Sequence, residues 1–177
     1  MTIGKDAALR NRLIRNYSGK GGSTTRPFVV GEFSEVIEHD NETPQAISFP
    51  RTVNGQLNPQ GDVDQFKLSL QAGQQIVCAV AARSIGSPAD TTLRLLDSAG
   101  RIVAIANDHR GLDPLLAYRC SKTGDFTLQL YNFDLSGRPE HVYRLTVTPG
   151  PYLDYSFPPG PQPALTSTIP FFGSHLR

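Results

Sequence analysis

Gly61-Asp62-Val63-Asp64-Gln65-Phe66-Lys67-Leu68-Ser69-Leu70 is an acidic turn that runs straight into strict alternation. Phe66, Leu68 and Leu70 fall on one side of an extended chain and Lys67 and Ser69 on the other, the period of two expected of a strand with one face in a core and one in water. Tyr143-Arg144-Leu145-Thr146-Val147 reads the same way. Working outward, short apolar runs predict further strands over 27–30, 45–49, 51–57, 75–82, 92–97, 102–106, 115–120 and 124–133, with the two quoted runs lying in strands over 64–70 and 140–148. Turn chemistry separates them: Asn58-Pro59-Gln60-Gly61, Gln71-Ala72-Gly73, Asp97-Ser98-Ala99-Gly100, Lys122-Thr123-Gly124-Asp125 and Ser136-Gly137-Arg138-Pro139. The spacing is too close for strand-helix-strand units and predicts an all-β protein, an antiparallel β-sandwich of jelly-roll or Greek-key type with flexible N- and C-terminal tails.

Composition agrees. The 177 residues include 14 Pro and 16 Gly but no Trp, and 38% are hydrophobic, which suits one turn-rich β domain plus tails. We place the sandwich at 27–148, including an acidic linker at 35–44, between a basic flexible tail (1–26) and a Pro-rich linker (149–177). The strand-like run 169–172 has no evident partner of its own, as at the cut start of another module or in a docking tail. Charge divides along the same boundary: residues 1–26 carry +5 and the remainder −4, for a net +1. A body of negative sign lacks the clustered basic residues of a nucleic-acid footprint. No apolar run approaches the roughly 20 residues of a membrane span, and residues 1–26 lack the apolar core of about 7–15 residues of a secretory signal.

Within the tail, Leu9, Leu13 and Ile14 at approximate helical spacing predict a helix over 5–16. Ser18-Gly19-Lys20-Gly21-Gly22-Ser23 has the letters of a phosphate-binding loop without its spacing or its preceding strand, so it reads as flexible chain. Cys78 and Cys120 each lie in an alternating run. Two buried thiols are the first reading, and one disulfide across the sandwich, in an oxidising compartment, is the second.

Two acidic segments carry the remaining chemistry. Glu38-His39-Asp40-Asn41-Glu42-Thr43-Pro44 precedes the Asp62–Asp64 turn, and carboxylates with an Asn carbonyl are the donors a hard cation such as Ca²⁺ takes, about six to eight oxygens at a time. Ordinary turn capping by Asn41 and Thr43 beside a solvated Asp62–Asp64 loop accounts for the same letters. A third acidic loop, Asn107-Asp108-His109-Arg110-Gly111-Leu112-Asp113, contains its own neutralising Arg110 and reads as a turn.

In order along the chain, Asn41-Glu42-Thr43-Pro44, Val53-Asn54-Gly55, the Gly61–Phe66 turn, Leu70-Gln71-Ala72-Gly73-Gln74, Leu93-Arg94-Leu95-Leu96-Asp97, Asn107-Asp108, Gly124-Asp125-Phe126 and Val142–Val147 resemble the bacterial pre-peptidase C-terminal domain family. The likeness covers roughly 35–148. Such domains are β-sandwiches appended to secreted proteases and other large exported proteins, and are related to the collagen-binding domains of clostridial collagenases. The resemblance implies a non-catalytic accessory module, extracellular or periplasmic, whose partners are neighbouring domains of a larger exported protein or an extracellular polymer. It also implies a Ca²⁺ site at Asn41 and Glu42 of the linker and Asp62 and Asp64 of the turn. The usual linker reads Glu-Pro-Asn-Asp, so here Asp40 or Glu38 stands in for the missing Glu. Beyond Pro149, the run Tyr152–Pro158 looks similar to the lead into an immunoglobulin-like module.

No catalytic constellation stands beside it. The four histidines form no HExxH, and neither Ser121 nor Ser136 lies in the GxSxG elbow that a serine nucleophile near His109 needs. The alternative function is a carbohydrate- or polypeptide-binding sandwich that uses a sheet face and no metal. Tyr131 and Tyr143, exposed together on one face, are the expected sign of it, whereas core positions for Tyr118, Tyr131, Phe133 and Tyr143 are what aromatic alternation ordinarily means.

Overall fold

The computed structural model describes residues 3–4, 6–39, 43–160 and 168–176. Seventeen strands occur in this order among them. The first four are β1 (Arg10–Ile14), β2 (Tyr17–Ser18), β3 (Gly21–Gly22) and β4 (Arg26–Val30). Then come β5 (Glu35–Ile37), β6 (Gln45–Ala46), β7 (Arg51–Gln56), β8 (Val63–Leu70) and β9 (Gln75–Ala81). A 3-10 turn at Arg83–Ile85 leads to β10 (Thr91–Leu96), β11 (Ile102–Ala106), β12 (Asp108–Arg110), β13 (Asp113–Arg119), β14 (Gly124–Asn132) and β15 (Val142–Thr148). The last pair is β16 (Tyr152–Ser156) and β17 (Phe171–Ser174).

Two sheets form the body, one in the order β11-β10-β14-β8-β6 and one in the order β12-β13-β9-β15-β7-β5. Alternation puts Phe66, Leu68 and Leu70 of β8 and Leu128 and Leu130 of β14 opposite Ile76 and Cys78 of β9 and Leu145 and Val147 of β15, all buried in one core. Every central pairing is antiparallel. The two N-terminal edge strands differ from expectation: β5 on β7 and β6 on β8 are parallel, so the otherwise antiparallel sandwich is mixed along this flank. Chain crossing from sheet to sheet closes both flanks, at β5 to β6 on one side and β11 to β12 on the other.

Both terminal segments are corrected. Where spacing predicts a helix over 5–16 inside a flexible tail, β1 instead pairs with β4 from Arg10↔Val30 to Ile14↔Arg26, around the small hairpin of β2 and β3. Leu9, Leu13 and Ile14 have no apolar helix partner to bury against, and all three stay exposed, so the helical stripe had nothing to face. Nor is the C-terminal strand without a partner: β17 pairs with β16, and Tyr155 stacks on Phe172 at 4.7 Å.

Cys78 and Cys120 are free and buried, and burial pushes the Cys78 thiol up to about 12. Cys78 lies opposite Leu116, whereas Cys120 bonds across to Gln74, four residues away along the ladder. At about 3.3 Å per residue that separation is roughly 13 Å, about twice the Cα reach of a disulfide.

Candidate functional site

The linker and the acidic turn meet at the flank closed by β5 and β6. Tyr143 points from β15 into the sandwich and is 1% exposed. Its hydroxyl lies 2.6 Å from Glu38 Oε2, just past the end of β5, and 2.7 Å from Asp64 Oδ2 on β8 of the other sheet. Glu38 Oε1 accepts the Gln56 backbone N–H at 2.6 Å. The phenol thus bridges two carboxyl groups that come from segments 26 residues apart in sequence and from opposite sheets.

Space for this contact comes from a missing side chain. Gly55 is the cross-strand neighbour of Tyr143, and a Cβ there would run into the Tyr143 ring, its hydroxyl and Glu38 Oε2. A glycine inside a strand often marks such a close approach.

The cluster's electrostatics follow from its burial. Desolvation, helped by the neighbouring Glu38 and Asp62, pushes the Asp64 carboxyl up to about 9. Burial, reinforced by the two carboxylates, raises the Tyr143 phenol well above its ordinary value. One phenolic hydrogen cannot serve two carboxylates at once. With Asp64 protonated at neutral pH, Asp64 donates to Tyr143 and Tyr143 donates to Glu38, so each contact has its hydrogen.

Around this pair the linker is pinned at both ends. Gln45 spans it, accepting the His39 N–H at 3.1 Å and donating to Ile37 O at 3.2 Å. Arg144 grips Glu35 of β5 through both terminal nitrogens, at 2.8 and 3.0 Å, while Asn54 donates to the same carboxylate at 2.8 Å. Burial pushes Glu35 upward, but the bonds from Arg144 and Asn54 and the Arg144 charge outweigh it and hold the carboxyl below its ordinary value.

Of the six residues expected to hold a cation, Glu38 and Asp64 are brought together. Asp62 sits beside Asp64 and also caps its own turn, accepting the Asn58 N–H at 2.8 Å. Asp40, Asn41 and Glu42 lie outside the described residues, and among the described residues no three His, Cys, Asp or Glu converge in a metal-holding group. Asp64 is buried, which corrects its reading as part of a solvated loop. Sequence reading missed Gly55 and Tyr143 as parts of the site. The Gly in the middle of an alternating run was the one signal available.

The third acidic loop is also settled. Asp113 accepts backbone N–H groups from Ala82, Arg83 and Ser84 at 3.0, 2.7 and 2.9 Å, so its lone pairs hold the 3-10 turn. His109 Nε2 lies 2.6 Å from Asp154 Oδ1, and Arg110 stacks over the Tyr152 ring at 5.2 Å; these contacts fasten β16 to the sandwich. Ser136 Oγ meets the Asn132 amide at 2.6 Å, in a turn well apart from that pair in sequence. The aromatic platform divides: Tyr143 is interior, Tyr131 lies under Arg94 at 5.3 Å and Tyr118 packs on Phe126, leaving Phe133 exposed.

No protein-family profile and no curated protein sequence matches the chain. Among solved structures it is similar to the pre-peptidase C-terminal domain of a collagenase from Bacillus anthracis, with a TM-score of 0.50 and 18% identity over 63% of this chain and 100% of that one. The fold is of the pre-peptidase C-terminal type. A periplasmic inhibitor of g-type lysozyme from Aeromonas hydrophila follows at a TM-score of 0.48 and 16% identity, over 65% of this chain and 98% of that one. Within the pre-peptidase C-terminal frame, the Glu38–Tyr143–Asp64 cluster occupies the junction between the entering linker and the sandwich.

Proposed function

We propose that the chain is a non-catalytic accessory module of an exported bacterial protein, and that Ca²⁺ fixes its N-terminal linker against the sandwich. The observation that carries this reading is the meeting of Glu38 and Asp64 on Tyr143 where the linker crosses between sheets. The donor set is hard oxygen throughout, and one phenolic oxygen separates Glu38 from the buried Asp64 carboxyl. Bringing buried carboxyls together costs free energy that a proton on Asp64 relieves at neutral pH; a divalent cation relieves the same repulsion more fully. Glu38 and Asp64 would supply part of a shell, and Asp40, Asn41, Glu42 and Asp62 are the residues that would complete it. Bound Ca²⁺ would supply no reaction chemistry, only a fixed angle between this module and whatever precedes it.

The sheet-face alternative loses its main support because Tyr143 is interior and cannot form a platform with Tyr131. A collagenase's accessory domain as the structural likeness supports placement outside the cytoplasm and partners among neighbouring domains or an extracellular polymer. The test is a thermal melt in excess EDTA and then in millimolar CaCl₂, with limited proteolysis of the linker, repeated on Asp62→Ala and Asp64→Asn. A Ca²⁺-dependent rise in Tm and linker protection that both substitutions abolish is the expected result. Equal melting and equal cleavage with and without Ca²⁺ would reject the metal clamp.

A further inference from the structure

The ribbon of β1 and β4 has two unlike faces. By register Asn11, Leu13, Pro27 and Val29 share one of them. Asn11 and Val29 line a cleft against the six-stranded sheet, Pro27 approaches Gly86 and Phe28 lines a second cleft beside Glu38 and Tyr143, so β4 is half-buried against the sandwich while most of β1, Leu13 included, stays exposed. The opposite face has three successive rungs, Arg10 with Val30, Arg12 with Phe28 and Ile14 with Arg26, and each sets one guanidinium beside one apolar side chain. Arg15 and Lys20 extend the charge to the ribbon's far end, where Leu13, Ile14 and Tyr17 are 71%, 40% and 72% exposed. Among the described residues the ion pairs are Lys67–Asp125, Arg101–Asp97, His109–Asp154 and Arg144–Glu35, and none of them uses these five cations.

We propose that this ribbon docks the protein on an anionic phospholipid surface, with the cations on lipid phosphates and Leu13, Ile14 and Tyr17 at the boundary between headgroups and acyl chains. Charge favours that occupant, since the head carries +5 while the rest of the chain carries −4; an anionic surface attracts the ribbon and turns the body away. The exposed aliphatic side chains decide between a lipid surface and a soluble polyanion. Leu and Ile offer nothing to a phosphate or a sugar in water, whereas at a lipid boundary their area leaves water. Lasting attachment to a bilayer takes two signals, and an apolar tip with a basic face supplies both.

The full 177-residue chain is sedimented with vesicles of about 30% phosphatidylglycerol in phosphatidylcholine at about 50 mM NaCl, and with pure phosphatidylcholine vesicles. Binding is expected to the anionic vesicles alone, and to fall away near 300 mM NaCl. Removing two cations, Arg15→Gln with Lys20→Gln, lies in the connection rather than the paired strands and is expected to weaken partitioning about 25-fold. Leu13→Ser with Tyr17→Ser is expected to weaken it at least about tenfold. An unchanged melting temperature shows that each variant is folded. Failure to sediment with the anionic vesicles overturns the proposal. So does sedimentation that the Leu13 and Tyr17 substitutions leave unaltered, which would make the ribbon a site for polyanions in general.

Discussion

Asp64 concentrates the chemistry of the site in one carboxyl. Its pKa is pushed up to about 9 in the folded chain, while in the unfolded chain it returns to the ordinary carboxylate value of about 3.9. The folded state therefore holds the proton more tightly, so this contribution to stability is complete below about pH 4 and is lost as pH rises through about 9. In EDTA the Tm is expected to fall from pH 5 to pH 9, and Asp64→Asn, which keeps the shape without the titration, is expected to flatten that slope. A wild-type Tm that is level or rising over the range would contradict it. Gly55 is the second residue-scale determinant. Gly55→Ala drives a methyl into Tyr143 and Glu38, and overpacking of this kind costs about 1–3 kcal/mol; chemical denaturation followed by far-UV circular dichroism measures it.

Short elements depend on side-chain anchors. At three residues β5 has too little ladder to hold itself, and the paired bonds of Arg144 to Glu35 supply the missing attachment. Arg144→Met is expected to speed amide exchange in 35–39 while leaving β14 unchanged, which hydrogen exchange read by mass spectrometry resolves. A similar anchor holds the 3-10 turn at Arg83–Ile85. Asp113→Ala would orphan three backbone N–H groups around a buried site, at an expected cost of about 3 kcal/mol, measured by urea denaturation. Isolated strand runs gave no sign of either anchor, because each contact joins residues 29 or more positions apart.

Across the whole molecule the sandwich is one cooperative body carrying two less buried ribbons. Leu128, fully buried in the middle of β14, contacts the core shared by both sheets, so Leu128→Ala is expected to cost about 2–5 kcal/mol in a single transition. Tyr fluorescence and circular dichroism should report the same midpoint, and divergent midpoints would mean that the sheets unfold separately. The sequence by itself determined the all-β class, the central strands and the inward faces of β8 and β15, because alternation of period two is written in neighbouring residues. It also pointed to the acidic linker and the turn at Asp62 and Asp64 as one region. Tertiary structure alone decided that β1 is a strand, since the stretch 5–16 with its weak apolar stripe takes the conformation its partner β4 offers. Only the fold could place Tyr143 between Glu38 and Asp64, and Cys78 out of reach of Cys120. Those relations depend on register and on which sheet each strand joins, and both are fixed by contacts between segments that carry no local trace of one another.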